Sequence, residues 1–92
     1  MSQAIIDPEQ LSAYSSFLRG ALEHLTEAFS TLDNDFTDLG NTWKDEKFQN
    51  FSKVFAESKG QVNAFCKVGE NFLEHLQRKE QAIREYLEGG SY

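Results

Sequence analysis

One cysteine and two histidines are all that 92 residues offer a disulfide or a zinc ion. The single Cys66 excludes an internal disulfide, and without a Cys/His cluster no structural zinc site is expected. No uninterrupted apolar run exceeds a few residues, so no transmembrane span is expected. The opening "MSQAIIDPEQ" lacks a basic n-region and a long apolar h-region, so a Sec signal peptide is not expected either. Basic residues are scarce where they would matter for polyanions. Residues 1–46 carry nine acids against two bases, and residues 47–92 carry six against seven, giving −6 overall. That balance argues against nucleic acid and anionic membranes as partners, because both require a basic patch.

What is present is helical periodicity. A chain this short is one domain, residues 1–92, and buries a modest share of its surface; with disulfide and metal excluded, oligomerisation is the remaining route to stability. Asp7 reads as an N-cap, Pro8 as the first helical residue, and Gln10 follows three residues after the cap. Leu11, Tyr14, Leu18, Ala21, Leu25, Ala28 and Leu32 then recur at spacings of three and four. The stripe shifts through Leu22 and Phe29 and runs on as Phe36, Leu39 and Trp43. Gly20 interrupts it, either tolerated or marking close packing. The spacing predicts a first helix over about 8–39, ending at Gly40 in a left-handed C′ conformation.

A turn over about 40–42 is expected next, with Thr42 capping a second helix over about 43–88 and Asp45 and Glu46 facing its positive end. Phe48, Phe51, Phe55, Ser58, Val62, Phe65, Gly69, Phe72, Leu76, Lys79, Ile83 and Tyr86 follow heptad a/d spacing. Val54, Val68 and Leu73 flank that seam. Lys79 within it reads as a side chain that snorkels to water. Glu74–Arg78 and Glu80–Arg84 are i,i+4 pairs in the favourable order. Gly89 and Gly90 are expected to end the helix, with 89–92 as a loose tail.

The expected fold is therefore all-α: an antiparallel two-helix hairpin, because the connection is short. At 1.5 Å per residue the helices should measure about 48 and about 66 Å, so the second overhangs the first. Two helices rarely enclose a core, and a second hairpin would complete a four-helix bundle. The residues expected in that dimer core are Leu18, Leu25, Phe29, Leu32, Phe55, Val62, Phe65, Phe72, Leu76 and Ile83.

Catalysis is not expected. A di-iron bundle needs Glu-x-x-His, but Ala21 precedes His24 by three and Phe72 precedes His75 by three. No His-x-x-x-His or Ser/His/Asp constellation is present, so each His reads as a boundary or surface residue. Cys66 reads as a small apolar filler on a helix rather than a reactive thiol. No cofactor and no metal are expected.

The segment "DLGNTWKDEKFQNF", residues 38–51, holds the one Trp of the chain, Trp43. Its plainest role is a plug over the end of a hairpin. A hairpin of this length, with a Trp at the turn and an aromatic, Phe51, eight residues later, resembles the WXG-type, early-secreted-antigen-like family of bacterial type VII secretion. The resemblance covers nearly the whole chain. The family's Trp-x-Gly reads here Trp43-Lys44-Asp45, and its Tyr-x-x-x-Asp/Glu export signal would read Tyr86 to Gly90. The resemblance implies a non-enzymatic secreted substrate, or a targeting partner or chaperone for a larger secreted effector. It also implies pairing as a homodimer or heterodimer with a related hairpin, a larger secreted effector and the secretion ATPase as further partners, and Gly40, Trp43, Asp45 and Phe51 as the motif or partner-binding residues. The chain would be exported without a signal peptide, or be cytoplasmic before export, and would borrow a missing tail signal from its partner. Heptad spacing does not exclude the alternative, a general helical adaptor or an immunity-type protein unrelated to secretion.

Overall fold

The computed structural model describes residues 6–89. Within them lie two helices and no strand: α1, Pro8–Leu39, and α2, Glu46–Gly89. They pack as a hairpin. The tail expected over 89–92 starts one residue too early, because Gly89 is still the last residue of α2; residues 90–92 lie outside the described residues.

Local chemistry sets both starts. The Asp7 carboxylate accepts the Glu9 backbone N–H at 2.9 Å, and Pro8 supplies a preset φ at the first position of α1. At α2 the cap is Asp45, whose Oδ1 accepts the Phe48 N–H at 2.8 Å while its carbonyl accepts from Gln49 at 3.0 Å. The second helix thus starts at Glu46, three residues later than the sequence suggests. Thr42 is not the cap. Its hydroxyl points backwards and donates to the Leu39 carbonyl at 3.2 Å. That carbonyl also accepts the backbone N–H groups of Thr42 and Trp43, each at 3.1 Å. Residues 42 and 43 are committed to finishing α1, and an ionised Asp near a helix N-terminus is the stronger cap.

The end of α1 differs from expectation too. Gly40 is right-handed, at φ −65° and ψ −15°, and its N–H still donates to the Phe36 carbonyl. No described residue has a left-handed φ. Space, and not backbone freedom, accounts for the glycine: a Cβ at position 40 would lie 2.7 Å from Cζ of Phe48. Gly69 is used the same way, since its Cβ would sit 2.9 Å from Cδ1 of Leu22. Around Gly20 nothing lies within 4 Å, so that glycine is merely tolerated.

Cross-helix pairs fix the register. Leu22 meets Gly69, Thr26 Oγ1 lies 3.7 Å from Cys66 Sγ, and Lys59 binds Asp33 at 2.8 Å. By the same register, Pro8 is level with residues 83–84, so Tyr86 and Leu87 overhang, and both are exposed. The Glu80–Arg84 pair forms at 2.9 Å, but no Glu74–Arg78 bridge forms among the described residues.

The core is thin. Among the described residues, Leu22 (5% exposed), Phe55, Leu73 and Leu76 are the buried apolar side chains, and Ser15 is buried with a hydroxyl that finds no partner there. Near the turn, phenyl rings make a ladder. Phe36 stacks on Phe48 at 4.2 Å and meets Phe51 edge-on at 5.2 Å, and Phe55 stacks on Phe29 and Phe51 at 5.7 and 5.8 Å. The radius of gyration is 20.4 Å, where a compact chain of this length would have about 12 Å. The molecule is a slab of 70 × 27 × 15 Å, one helix thick.

Candidate interaction surface

The heptad seam read from sequence is half right, and the error defines the site. Phe48, Phe55, Val62, Gly69, Leu76 and Ile83, spaced by seven, do face α1 as buried or half-buried residues. The alternate positions that face α1 are Ser52, Lys59, Cys66, Leu73 and Glu80. The expected alternates Phe51, Phe65, Phe72, Lys79 and Tyr86 are rotated out and exposed; Ser58 is half-buried. One neighbouring helix covers one seam, about two positions in seven. The apolar stripe of α2 is wider than that, and its aromatic flank is left over.

The leftover flank continues through Val54 and Val68, so that Phe51, Val54, Phe65 (56% exposed), Val68, Phe72 and Tyr86 form a line along α2. On α1 the exposed apolar residues are Tyr14, Phe17, Leu32 and Leu39. Both lines lie on one side of the slab. Ile6, Leu11, Tyr14, Phe72 and Leu76 share the walls of one groove. The opposite side has charged and polar rims over apolar floors: Arg19, Glu23, Thr26, Glu27 and Glu70 line one groove there together with Leu22 and Leu73, and Asp33, Thr37, Lys44, Ser52 and Lys59 line another together with Phe36, Phe48 and Phe55. The Lys59–Asp33 pair and the half-buried Cys66 belong to that polar side.

Of the residues expected in a dimer core, Phe55 and Leu76 are buried within the hairpin itself, and Leu18, Leu25, Phe29, Val62 and Ile83 are half-buried. Leu32, Phe65 and Phe72 are exposed. Leu22 and Leu73, which sequence reasoning set at the margins of the stripe, are core. The signal for Leu22 lay in its pairing with a glycine across the hairpin, which periodicity along one helix does not encode.

At the tip, the four motif residues divide. Gly40 makes room for Phe48, Asp45 caps α2, and Phe51 joins the ring ladder by one face. Trp43 lies in the turn, 55% exposed, its backbone held by the Leu39 carbonyl and its ring in no pairing with Phe51 or any other described aromatic residue. It sits beside exposed Leu39. His24 and His75 are exposed, His75 stacking on Phe72 at 6.1 Å.

Among the described residues no cluster of three metal-binding side chains converges, and no helix is long and apolar enough to cross a membrane. No family model, curated protein or solved structure matches the chain.

Proposed function

We propose that this chain is a non-enzymatic helical-hairpin protein of a type VII, WXG-type secretion system. It acts as a secreted substrate or as the targeting partner of a larger secreted effector, and it works paired, its apolar face closed by an identical or related hairpin into a four-helix bundle. Support comes from one arrangement: a slab one helix thick carries an apolar flank along both helices and a half-exposed Trp43 at its turn. A binding protein needs both features, one to pair and one to be recognised. Before export the pair would be cytoplasmic, and it would leave without a signal peptide. Gly40, Asp45 and Phe51 shape the tip, and Trp43 is the side chain offered to the secretion ATPase.

The test is export in the native host with and without the gene for that ATPase. Either this chain, or a larger protein that co-purifies with it, should reach the culture fluid only when the ATPase is present. If neither depends on the ATPase, the reading fails and a general helical adaptor takes its place.

A further inference from the structure

On the side opposite the aromatic flank, the crease between the helices is divided into three hollows at a regular spacing. From α1, Arg19, Leu22, Glu23 and Thr26 wall the innermost. Thr26, Phe29, Ser30 and Asp33 wall the middle one, and Asp33, Phe36, Thr37 and Gly40 the one at the tip. Each set has the pattern i, i+3, i+4, i+7, and each is its neighbour moved by seven residues. Adjacent hollows share Thr26 or Asp33, so the three form one continuous crease. Leu73, Val62 and Phe48 of α2 stand on the other wall of the three in turn. Four residues in this pattern are the hole in which one helix receives a side chain of another. Holes seven residues apart recur about every 10 Å, the repeat of an α-helix whose apolar residues stand seven apart. An extended peptide places a side chain on the same face about every 7 Å and falls out of step.

The rim charges are ordered along the crease. At the tip end Lys44 and Lys59 stand against one acid, Asp33, which Lys59 holds at 2.8 Å. At the inner end Glu23, Glu27 and Glu70 stand against one base, Arg19. Between them the rim adds only uncharged Ser30 and Asn63 to the Lys59–Asp33 pair. Among the described residues, Lys44 and the three glutamates enter no ion pair. The tip end is therefore positive and the inner end negative, with charges open to a partner.

We infer that this crease holds one amphipathic α-helix of a partner protein. The helix carries an apolar side chain at every seventh position, three in all, one for each hole. Its charge runs opposite to the rim: acidic residues lie beside Lys44, and basic residues lie beside Glu23, Glu27 and Glu70. Exposed ion pairs add little affinity singly, but a reversed helix sets like charges together at both ends, so the charge order fixes the direction in which the helix lies. The inference goes beyond the pairing reading. It concerns the face that pairing leaves open, and it holds equally for a hairpin that serves outside secretion.

The probe is a synthetic helical peptide of about 21 residues, with Leu at three positions seven apart. Glu is placed near its N-terminus and Lys near its C-terminus, the order its own dipole favours. A dansyl group is attached to one end or the other. The full chain has one tryptophan, Trp43, at the tip, so its emission reports which end of the peptide lies near. Binding should saturate, and dansyl on the acidic end should quench Trp43 several-fold more than dansyl on the basic end. A chain carrying Glu23→Lys, Glu27→Lys and Glu70→Lys, all at exposed positions, should bind this peptide about tenfold more weakly at low salt. It should regain affinity for a peptide with Glu at both ends. Equal quenching from both ends, or an affinity indifferent to the three substitutions, would overturn the charge-ordered crease. Loss of binding on Phe65→Ala but not on the glutamate substitutions would put the peptide on the aromatic flank and overturn it too. No binding at millimolar peptide would overturn the crease as a helix site. The export experiment is read without the peptide, so its outcome is independent of these.

Discussion

Leu22 and Gly69 pack so closely that a single methyl group at position 69 would overlap the Leu22 side chain, its carbon 2.9 Å from Cδ1. The two helices are therefore closest at this level, and the glycine is a packing residue. Replacing Gly by Ala inside a helix gains about 1 kcal/mol of propensity. At position 69 overpacking, which costs about 1–3 kcal/mol, should cancel or exceed that gain. At Gly20, where the space is open, the gain should appear undiminished. Denaturant melts of Gly20→Ala and Gly69→Ala should separate the two by about 1 kcal/mol or more, with Leu22→Ala relieving the penalty at 69.

Gly40 makes the same kind of contact at the turn. Its right-handed φ suits any residue, so the cost of Gly40→Ala should come mainly from Phe48, with Cε of Lys44 at 3.3 Å the lesser contact. A loss of about 1–2 kcal/mol is expected, and Phe48→Leu should recover part of it in a double-mutant cycle. A loss unchanged by Phe48→Leu would place the cost in the backbone instead.

Asp45→Ala should lower stability by about 1 kcal/mol through loss of the cap, and Asp45→Asn should keep most of it. Thr42→Ala should cost less, because its hydroxyl only supplements carbonyl bonds already made by backbone N–H groups. Chemical unfolding of the three variants checks the order.

Two aromatic substitutions distinguish the hairpin core from the pairing face. Phe55, 7% exposed and ringed by Phe29, Phe36 and Phe51, should cost about 3–4 kcal/mol as Phe55→Ala. Phe65→Ala should leave the fold of a single hairpin almost unchanged and act on assembly, seen as a lower scattering mass at the same concentration. Ser15→Ala should stabilise by about 1 kcal/mol, since it removes a buried hydroxyl with no partner among the described residues.

Trp43→Phe should melt within about 0.5 kcal/mol of the parent, as a surface substitution does. Its effect should fall on effector or ATPase binding, read by pull-down, or on export. Unchanged binding and export would leave Trp43 a plug and nothing more.

The two helices, the hairpin turn and the Asp7–Pro8 start were legible because capping and periodicity act within a few residues. The rotation of α2 was not. Phe51, Phe65 and Phe72 are apolar enough for either seam, and spacing along one helix does not say which flank its neighbour takes. Ser52, Lys59, Cys66 and Glu80 look like outer residues in sequence. They face α1 because Lys59 reaches Asp33, Cys66 sits by Thr26, and Gly69 admits Leu22. Gly40 was misread for a related reason: its constraint comes from Phe48, eight residues on, and not from its own dihedral angles. Trp43 could be placed at the turn from sequence, but its exposure depends on Thr42 turning back to α1 and on Asp45 delaying α2.

The phenyl ladder joins residues that are near in sequence as well as in space. Phe36 and Phe48 are twelve positions apart, whereas Leu22 and Gly69 are separated by forty-seven. Closing a short loop costs less chain entropy than closing a long one, so the turn end should form first and zip towards the open end. On warming the order reverses: the open end, from Ser15 and Leu76 out to Pro8 and Ile83, loosens before the tip does. Backbone amides should then exchange with deuterium in a gradient, slowest around Phe36 and Phe55 and fastest towards Pro8 and Ile83, and a protease should enter at the end that carries Tyr86 and Leu87.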